Sequence, residues 1–133
     1  ARLGDGWLAS GYNTTPERFE DGRILLETEL REAGKDPDAF PNAIATMFFH
    51  ITEEDDEALR VVGDTLAPML NRPADELADR LPIGSPETCA DTIAAYQAAG
   101  VERVYLWPIE DELDQLRRFQ EQVVADGSDP RRV

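Results

Sequence analysis

The segment that most constrains the fold is AIATMFFHIT, a largely apolar stretch at positions 43–52. As an extended strand it would place apolar side chains on both of its faces. The two alternating sets are Ile44, Thr46, Phe48 and His50, and Ala45, Met47, Phe49 and Ile51. A strand that is covered on both faces is typical of a parallel sheet flanked by helices. The segment therefore predicts a buried strand in an α/β domain.

Helix signals lie on both sides of this strand. The segment 13–34 has a threonine cap, Pro16 in its first turn and a glycine at its end. Thr52 caps a second helix, and the acidic run EEDDE that follows suits the positive end of a helix. Pro68 is expected to kink or end that helix. The segment 84–100 runs from a serine cap and a proline to a terminal glycine, which predicts a third helix.

Three strands are expected between these helices: Trp7–Ser10, Ala43–Ile51 and Val101–Trp107. The segment 71–84 is interpreted as a short helix and a loop. Strands that alternate with helices predict a parallel sheet. Because three strands leave the edges of a sheet unpaired, and open edges invite association, we expect part of a larger closed structure. The domain is expected over residues 1–126, with a polar tail over 127–133.

The charge and composition argue against several classes of function. The 133 residues include 28 Asp and Glu against 13 Lys and Arg, a formal net charge of −15. Such a field repels a phosphate backbone, so no nucleic-acid partner is expected. No apolar run approaches the ~20 residues that span a bilayer, so we expect a cytoplasmic protein with no membrane partner. Cys89, a small hydrophobe expected to be buried, and His50 are each alone of their type, which argues against a metal site.

Four ordered motifs cover almost the whole chain: ARLGDGWLAS, TPERF, GSPETCADTIAAYQAAGVERVYLWPI and DELDQLRRFQEQV. Together they resemble the C-terminal part of the bacterial luciferase-like monooxygenases. That family contains flavin-dependent monooxygenases and deazaflavin-dependent oxidoreductases built on a TIM barrel. The resemblance implies that the three strands belong to the last three β/α units of a (β/α)8 barrel.

The resemblance also implies a function. The chain would be the C-terminal portion of a flavin- or deazaflavin-dependent oxidoreductase or monooxygenase, whose partners are FMN or a deazaflavin coenzyme and a small organic substrate. The family places most contacts to the flavin ring on the first five strands, upstream of Ala1. We therefore expect this chain to supply part of the substrate pocket rather than the redox centre, and to form a homo-oligomer. The alternative is a non-enzymatic α/β fragment that self-associates through open sheet edges.

The active sites of TIM barrels lie at the carboxyl ends of the strands. This rule selects five candidates for the substrate or cofactor pocket: Ser10, Tyr12, Asn13, His50 and Trp107. His50 is the candidate catalytic residue, because an imidazole can hydrogen-bond a substrate oxygen or move a proton. A hydrogen-bonded core histidine is the alternative. A role in a turn explains Asn13 equally well. Trp107 could form an aromatic wall of the pocket, and core packing is the alternative explanation for it.

Two further features have ordinary structural explanations. The helix start GSPE at position 84 carries free N–H groups that could bind an anion, but capping explains Ser85, and Glu87 disfavours phosphate. The acidic clusters EEDDE and EDELD could be taken for metal ligands. Each of them begins a helix, where carboxylates are favoured, so both are expected to be solvated surface.

Overall fold

The computed structural model describes residue 1 and residues 3–124, and a parallel β-sheet lies at its centre. The strands are β1 (Trp7–Ser10), β2 (Asn42–Ile51), β3 (Ile83–Gly84) and β4 (Val104–Pro108). β2 pairs with β1 near its amino end, with β4 along its middle and with β3 at its carboxyl end. The predicted α/β class with parallel strands is confirmed. The predicted tail, 127–133, lies outside the described residues.

β3 is a strand that the sequence does not predict. The main-chain N–H groups of His50 and Thr52 donate to the carbonyl oxygens of Pro82 (3.2 Å) and Gly84 (2.9 Å), which extends the sheet at the end of β2. A two-residue strand has no alternation of side chains to detect, so the sequence predicts only helix and loop over 71–84. The predicted helix is present at Ala74–Ala78 and the predicted loop lies on both sides of it, but the last two residues of the segment form β3.

Helices and turns connect the strands. The helices are α1 (Pro16–Glu32), α2 (Asp55–Arg60), α3 (Ala67–Leu70), α4 (Ala74–Ala78), α5 (Pro86–Ala98) and α6 (Glu112–Arg118). Short 3-10 turns lie at Gly11–Asn13 and Pro37–Ala39, and π-helical turns at Val61–Leu66 and Phe119–Val124. The two longest helices begin as predicted. The hydroxyl of Thr15 accepts from the N–H of Arg18, and that of Ser85 from Thr88, which satisfies one free donor in each first turn.

The helix after β2 does not end at its proline. α2, the π-helical turn and α3 form one continuous helical path, because the residues that join them, Val61 and Ala67, have right-handed helical backbone angles. The path continues past Pro68 and ends at Asn71, which has a left-handed backbone (φ 52°). Proline lacks an N–H and crowds the preceding turn of an α-helix. A wider π turn, Val61–Leu66, precedes Pro68 in this path.

β2 contains a β-bulge that changes its alternation. Thr46 has φ 53°, a left-handed conformation that is uncommon for a β-branched residue, and the register with β4 shifts between Ile44 and Met47. An extra residue in one strand reverses the facing of all the residues beyond it. Ile44 therefore lies on the same face as Met47 and Phe49, and not on the face of Phe48 and His50 as predicted.

The helix-packed face of the sheet forms the core. Ile44, Met47 and Phe49 are fully buried on this face. A larger cluster joins Met47 to Phe19 of α1 and to residues of α5, and a second cluster joins Phe49 to Cys89 and Phe119. Cys89 is buried as expected, and burial raises the pKa of its thiol to about 12. This thiol is therefore a packing group and not a nucleophile.

The opposite face of the sheet is only partly covered. Leu8, Tyr105 and Trp107 are 63%, 47% and 48% exposed on it. Trp107 therefore does not have the core-packing role that the sequence analysis considers for it. In the part of the chain that the structure describes, β1 and β4 each pair only with β2, so both outer edges of the sheet are open. None of the described helices has the length and apolar character needed to cross a bilayer.

Candidate functional site

The carboxyl ends of β1, β2 and β4 lie at one edge of the sheet, because all three strands are parallel. Three aromatic rings cross the strands near this edge. The rings of Tyr12 and Phe48 have their centroids 6.3 Å apart, and Trp107 meets Phe48 edge to face at 5.6 Å. We call Tyr12, Phe48 and Trp107 the aromatic row. It unites two of the residues selected from the sequence with Phe48, which the sequence analysis does not select because it is an ordinary strand residue.

Ser10 and Asn13 lie beside Tyr12 of the aromatic row, but their polar groups bond to each other and to neighbouring side chains. The amide of Asn13 donates to the hydroxyl of Ser10 (3.2 Å) and its carbonyl accepts from Arg72 (2.7 Å). The hydroxyl of Ser10 also lies 3.1 Å from that of Thr46, at the bulge. For Asn13 these contacts match the turn role that the sequence leaves open. A second arginine, Arg80, holds the same turn by donating to the Tyr12 carbonyl oxygen (3.2 Å).

His50 is buried at the end of β2 and belongs to a short hydrogen-bonded chain. Its Nε2 lies 3.1 Å from Oε1 of Glu57 in α2, and the hydroxyl of Thr52 donates to Oε2 of the same carboxylate (2.6 Å). The bond from Thr52, followed by that from His50, holds the pKa of Glu57 below its ordinary value of 4.5. The histidine therefore faces an ionised carboxylate at neutral pH.

Glu57 is the residue of the candidate site that sequence reasoning misses. It ends the run EEDDE, which the sequence predicts to be solvated surface, and its side chain is 40% exposed. Its signal is its position within the first turn of a helix that directly follows the strand of His50, where a carboxylate can reach back to the strand end. No group of three or more potential metal ligands occurs among the residues that the structure describes.

An ion pair connects α2 to the chain that leaves β4. Both terminal nitrogens of Arg60 bond the two carboxylate oxygens of Glu110, at 3.2 and 2.9 Å. This pairing with Arg60 also lowers the pKa of Glu110. Since Glu57 also contacts His50, α2 is bonded both to the end of β2 and to the segment that follows β4. The cation of Arg60 is neutralised by this pair, so the edge has no free positive charge from this residue.

The hydrogen bonds of Glu57 with Thr52 and His50 predict that the free energy of unfolding depends on pH. A group whose pKa is lower in the folded state stabilises the protein above its unfolded pKa, and this contribution disappears as the pH falls through the folded value. We expect Glu57→Gln to lower the free energy of unfolding at pH 7 by less than about 1 kcal/mol, since water screens this exposed group. The difference between the two proteins should be present at neutral pH and disappear as the pH falls below 4.5 and through the lowered folded pKa of Glu57, as followed by urea unfolding across the acid range.

Glu54→Gln is the matched control for that experiment. It removes a carboxylate from the same acidic run, but Glu54 forms no side-chain bond with Thr52 or His50. An equal, pH-dependent loss in both variants would contradict a specific role for Glu57.

Comparisons with known proteins place this geometry in a known fold. No family model and no curated protein matches the sequence. Among solved structures, the chain is similar to an F420-dependent secondary alcohol dehydrogenase in complex with an F420-acetone adduct, with a TM-score of 0.74 and 19% identity over 93% of this chain and 43% of that one. It is also similar to a coenzyme F420-dependent tetrahydromethanopterin reductase from Methanopyrus kandleri, with a TM-score of 0.66 and 16% identity over 96% and 46% of the two chains.

A monooxygenase, RslO1 from Streptomyces bottropensis, gives a TM-score of 0.69 at 16% identity over 96% of this chain and 43% of that one. These are proteins of the luciferase-like TIM-barrel fold, so the predicted fold resemblance is confirmed. The chain spans less than half the length of each of these three structures.

Proposed function

We propose that this chain is the C-terminal portion of a luciferase-like oxidoreductase or monooxygenase that uses FMN or a deazaflavin coenzyme. Its role in that enzyme is to form one wall of the substrate pocket. The fold supports this proposal, because solved proteins of the same architecture include enzymes named for F420 and a monooxygenase. The three strands would then be late strands of the barrel, with the open face of the sheet turned toward its interior.

The observation that carries the proposal is the aromatic row at the carboxyl edge. Phe48 is nearly buried and fixes the ring of Trp107 at 5.6 Å, while about half of the indole remains exposed. A fixed, exposed indole offers a flat apolar surface to a ring or an apolar substrate. Tyr12 extends this surface onto the turn after β1, so that three neighbouring parts of the barrel contribute to it.

The same edge fits the ring end of a cofactor or its substrate better than a phosphate. Glu57 and Glu110 are ionised there, and Arg60 is already paired with Glu110. An anionic phosphate would meet repulsion from these two carboxylates. When bound, a flavin-type cofactor supplies the redox chemistry, whereas the residues of this chain orient the substrate and exclude water from it.

A coenzyme titration tests this assignment, because the chain has only two tryptophans and they lie in different places. Trp107 belongs to the aromatic row, whereas Trp7 stacks on Phe19 of α1 at 4.5 Å. We expect Trp107→Ala to weaken binding of FMN or coenzyme F420 about three- to tenfold, because one aromatic contact contributes about 0.5–1.5 kcal/mol. The measurement is the saturable change in the fluorescence of each coenzyme.

Trp7→Phe is the control for that titration and should leave the affinity unchanged. Equal weakening by both substitutions would contradict the placement of the pocket. If neither coenzyme bound saturably, the coenzyme contacts would be assigned to the rest of the barrel, and this chain would keep either the substrate wall or the second candidate function.

The second candidate is self-association without catalysis. The exposed Leu8 and Tyr105, together with the open edges of β1 and β4, favour it because apolar sheet surfaces and unpaired strands associate. We propose a cytoplasmic homo-oligomer in either case. The mass of the chain in solution distinguishes it from a monomer.

A further inference from the structure

One atom of the candidate site has no hydrogen-bond partner. Within the described residues, Nδ1 of His50 is a buried side-chain nitrogen that bonds to nothing, and the side chain as a whole is 2% exposed. A buried polar atom without a partner costs about 1–3 kcal/mol, and most such atoms in proteins are partnered. An unpaired nitrogen at the carboxyl edge of a barrel sheet therefore points to a missing hydrogen-bonding group.

The neighbours of the imidazole determine which kind of group is missing. Glu57 is an ionised carboxylate that already accepts a hydrogen bond from Thr52, so it can only accept from His50. In the neutral imidazole, the nitrogen that donates to this carboxylate, Nε2, carries the hydrogen and Nδ1 carries the lone pair. The missing partner of Nδ1 is consequently a hydrogen-bond donor, such as a hydroxyl group.

The charged and aromatic groups near His50 also limit the charge of the ligand and the polarity of the rest of the molecule. Glu57 and Glu110 are anionic, and Arg60 is paired, so an anionic ligand is disfavoured. Phe48 precedes His50 by two residues on the same face of β2 and contacts Trp107. Apolar rings therefore lie on the face of β2 that carries His50. These features together fit an uncharged molecule with a hydroxyl group on an apolar body.

We propose that Nδ1 of His50 accepts a hydrogen bond from the hydroxyl group of an uncharged, largely apolar substrate. Glu57 and Thr52 act as positioning residues that fix the imidazole tautomer for this bond. The inference rests on the proposed function, since it defines the substrate class of the same pocket. Because Nδ1 is buried, a substrate hydroxyl reaches it only through a local opening beside His50 that leaves the bond between Nε2 and Glu57 intact.

The single histidine of the sequence makes a direct test practicable. Nitrogen-15 NMR of chain labelled on histidine reports Nδ1 and Nε2 of His50 alone. At neutral pH we expect the tautomer with hydrogen on Nε2. Glu57→Gln should give a mixture of tautomers, because an amide can donate as well as accept. Glu54→Gln should leave the spectrum unchanged. A free chain with its hydrogen on Nδ1 would overturn the proposal.

A second experiment titrates the labelled chain with benzyl alcohol as the probe. Benzyl methyl ether, which lacks a hydrogen-bond donor, is the matched control. We expect a saturable shift of the Nδ1 resonance toward the hydrogen-bonded value with the alcohol and none with the ether. Equal shifts with both probes, or no shift with the alcohol, would overturn the proposal. An Nδ1 resonance already at the hydrogen-bonded value and unmoved by the alcohol would assign the atom to an internal water and also overturn it.

Failure of this inference can be distinguished from failure of the proposed function. Coenzyme binding that depends on Trp107, without a response of Nδ1 to the alcohol, would leave the flavin-type pocket and remove only the hydroxyl contact. Loss of both signals would contradict the proposed pocket itself.

Discussion

Gly11→Ala is expected to destabilise the protein by about 1–3 kcal/mol, the usual cost of forcing extra volume into a packed site. Gly11 is buried directly after β1, against the bulge of β2. A Cβ atom there would lie 3.0 Å from the Thr46 carbonyl oxygen, 3.1 Å from the Met47 Cα and 3.2 Å from the Met47 nitrogen. All three are backbone atoms, which cannot rotate away as a side chain can. The measurement is the free energy of unfolding in urea.

Gly63→Ala is the matched control. Gly63 lies in the π-helical turn, and a Cβ atom added there would have no neighbouring atom within 4 Å, so the methyl group meets open space. Replacing a helical glycine by alanine stabilises by about 0.5–1 kcal/mol through backbone entropy. The two substitutions should therefore change stability in opposite directions. If Gly11→Ala were as stable as the wild type, the close approach of β1 to the bulge would be wrong.

Gln115→Leu is expected to cost about 1–3 kcal/mol, because it leaves a buried peptide N–H without a partner. Gln115 of α6 is 3% exposed. Its amide oxygen accepts from the N–H of Ile51 (2.6 Å) and its amide nitrogen donates to the carbonyl oxygen of Ile51 (3.1 Å). The side chain thus pairs with β2 as the peptide group of a neighbouring strand would, at a point beyond the pairing with β4. Leucine preserves the volume but neither bond.

Arg118 also donates to the Ile51 carbonyl oxygen (2.7 Å), so that oxygen keeps a partner in the variant. The expected loss therefore arises mainly from the orphaned N–H. Gln122→Leu, at an exposed position in the turn that follows α6, is the control and should change the free energy of unfolding by less than about 0.5 kcal/mol. Equal losses in the two leucine variants would mean that the buried amide contributes no specific stability.

The parts of the fold that follow from local chemistry could be predicted from the sequence. Thr15 with Pro16, and Ser85 with Pro86, begin α1 and α5 because hydroxyl caps and early prolines satisfy or avoid free N–H groups. The strand around Phe48 follows from its apolar run. These signals depend on residues close in sequence, so no tertiary contact is needed to detect them.

The parts that depend on distant contacts could not be predicted. The bulge at Thr46 is accommodated by Gly11 in the turn after another strand, and nothing within AIATMFFHIT marks it. The role of Glu57 depends on how the helix after β2 folds back on His50, so composition alone suggests a solvated acid. Asn13 is a candidate because of its place at a strand end, yet its side chain is occupied by Ser10 and Arg72.

The bulge makes the number of residues in β2 part of the chemical definition of the proposed pocket. Loss of one residue between Ile44 and Met47 would restore a regular strand and turn Phe48 and His50 into the core, while Met47 and Phe49 would turn out of it. Homologous chains whose alignment with this one opens a one-residue gap in β2 would therefore present a different set of side chains to their ligands, even where every flanking motif is retained. Insertions and deletions in this strand, more than substitutions, would separate specificities among such chains.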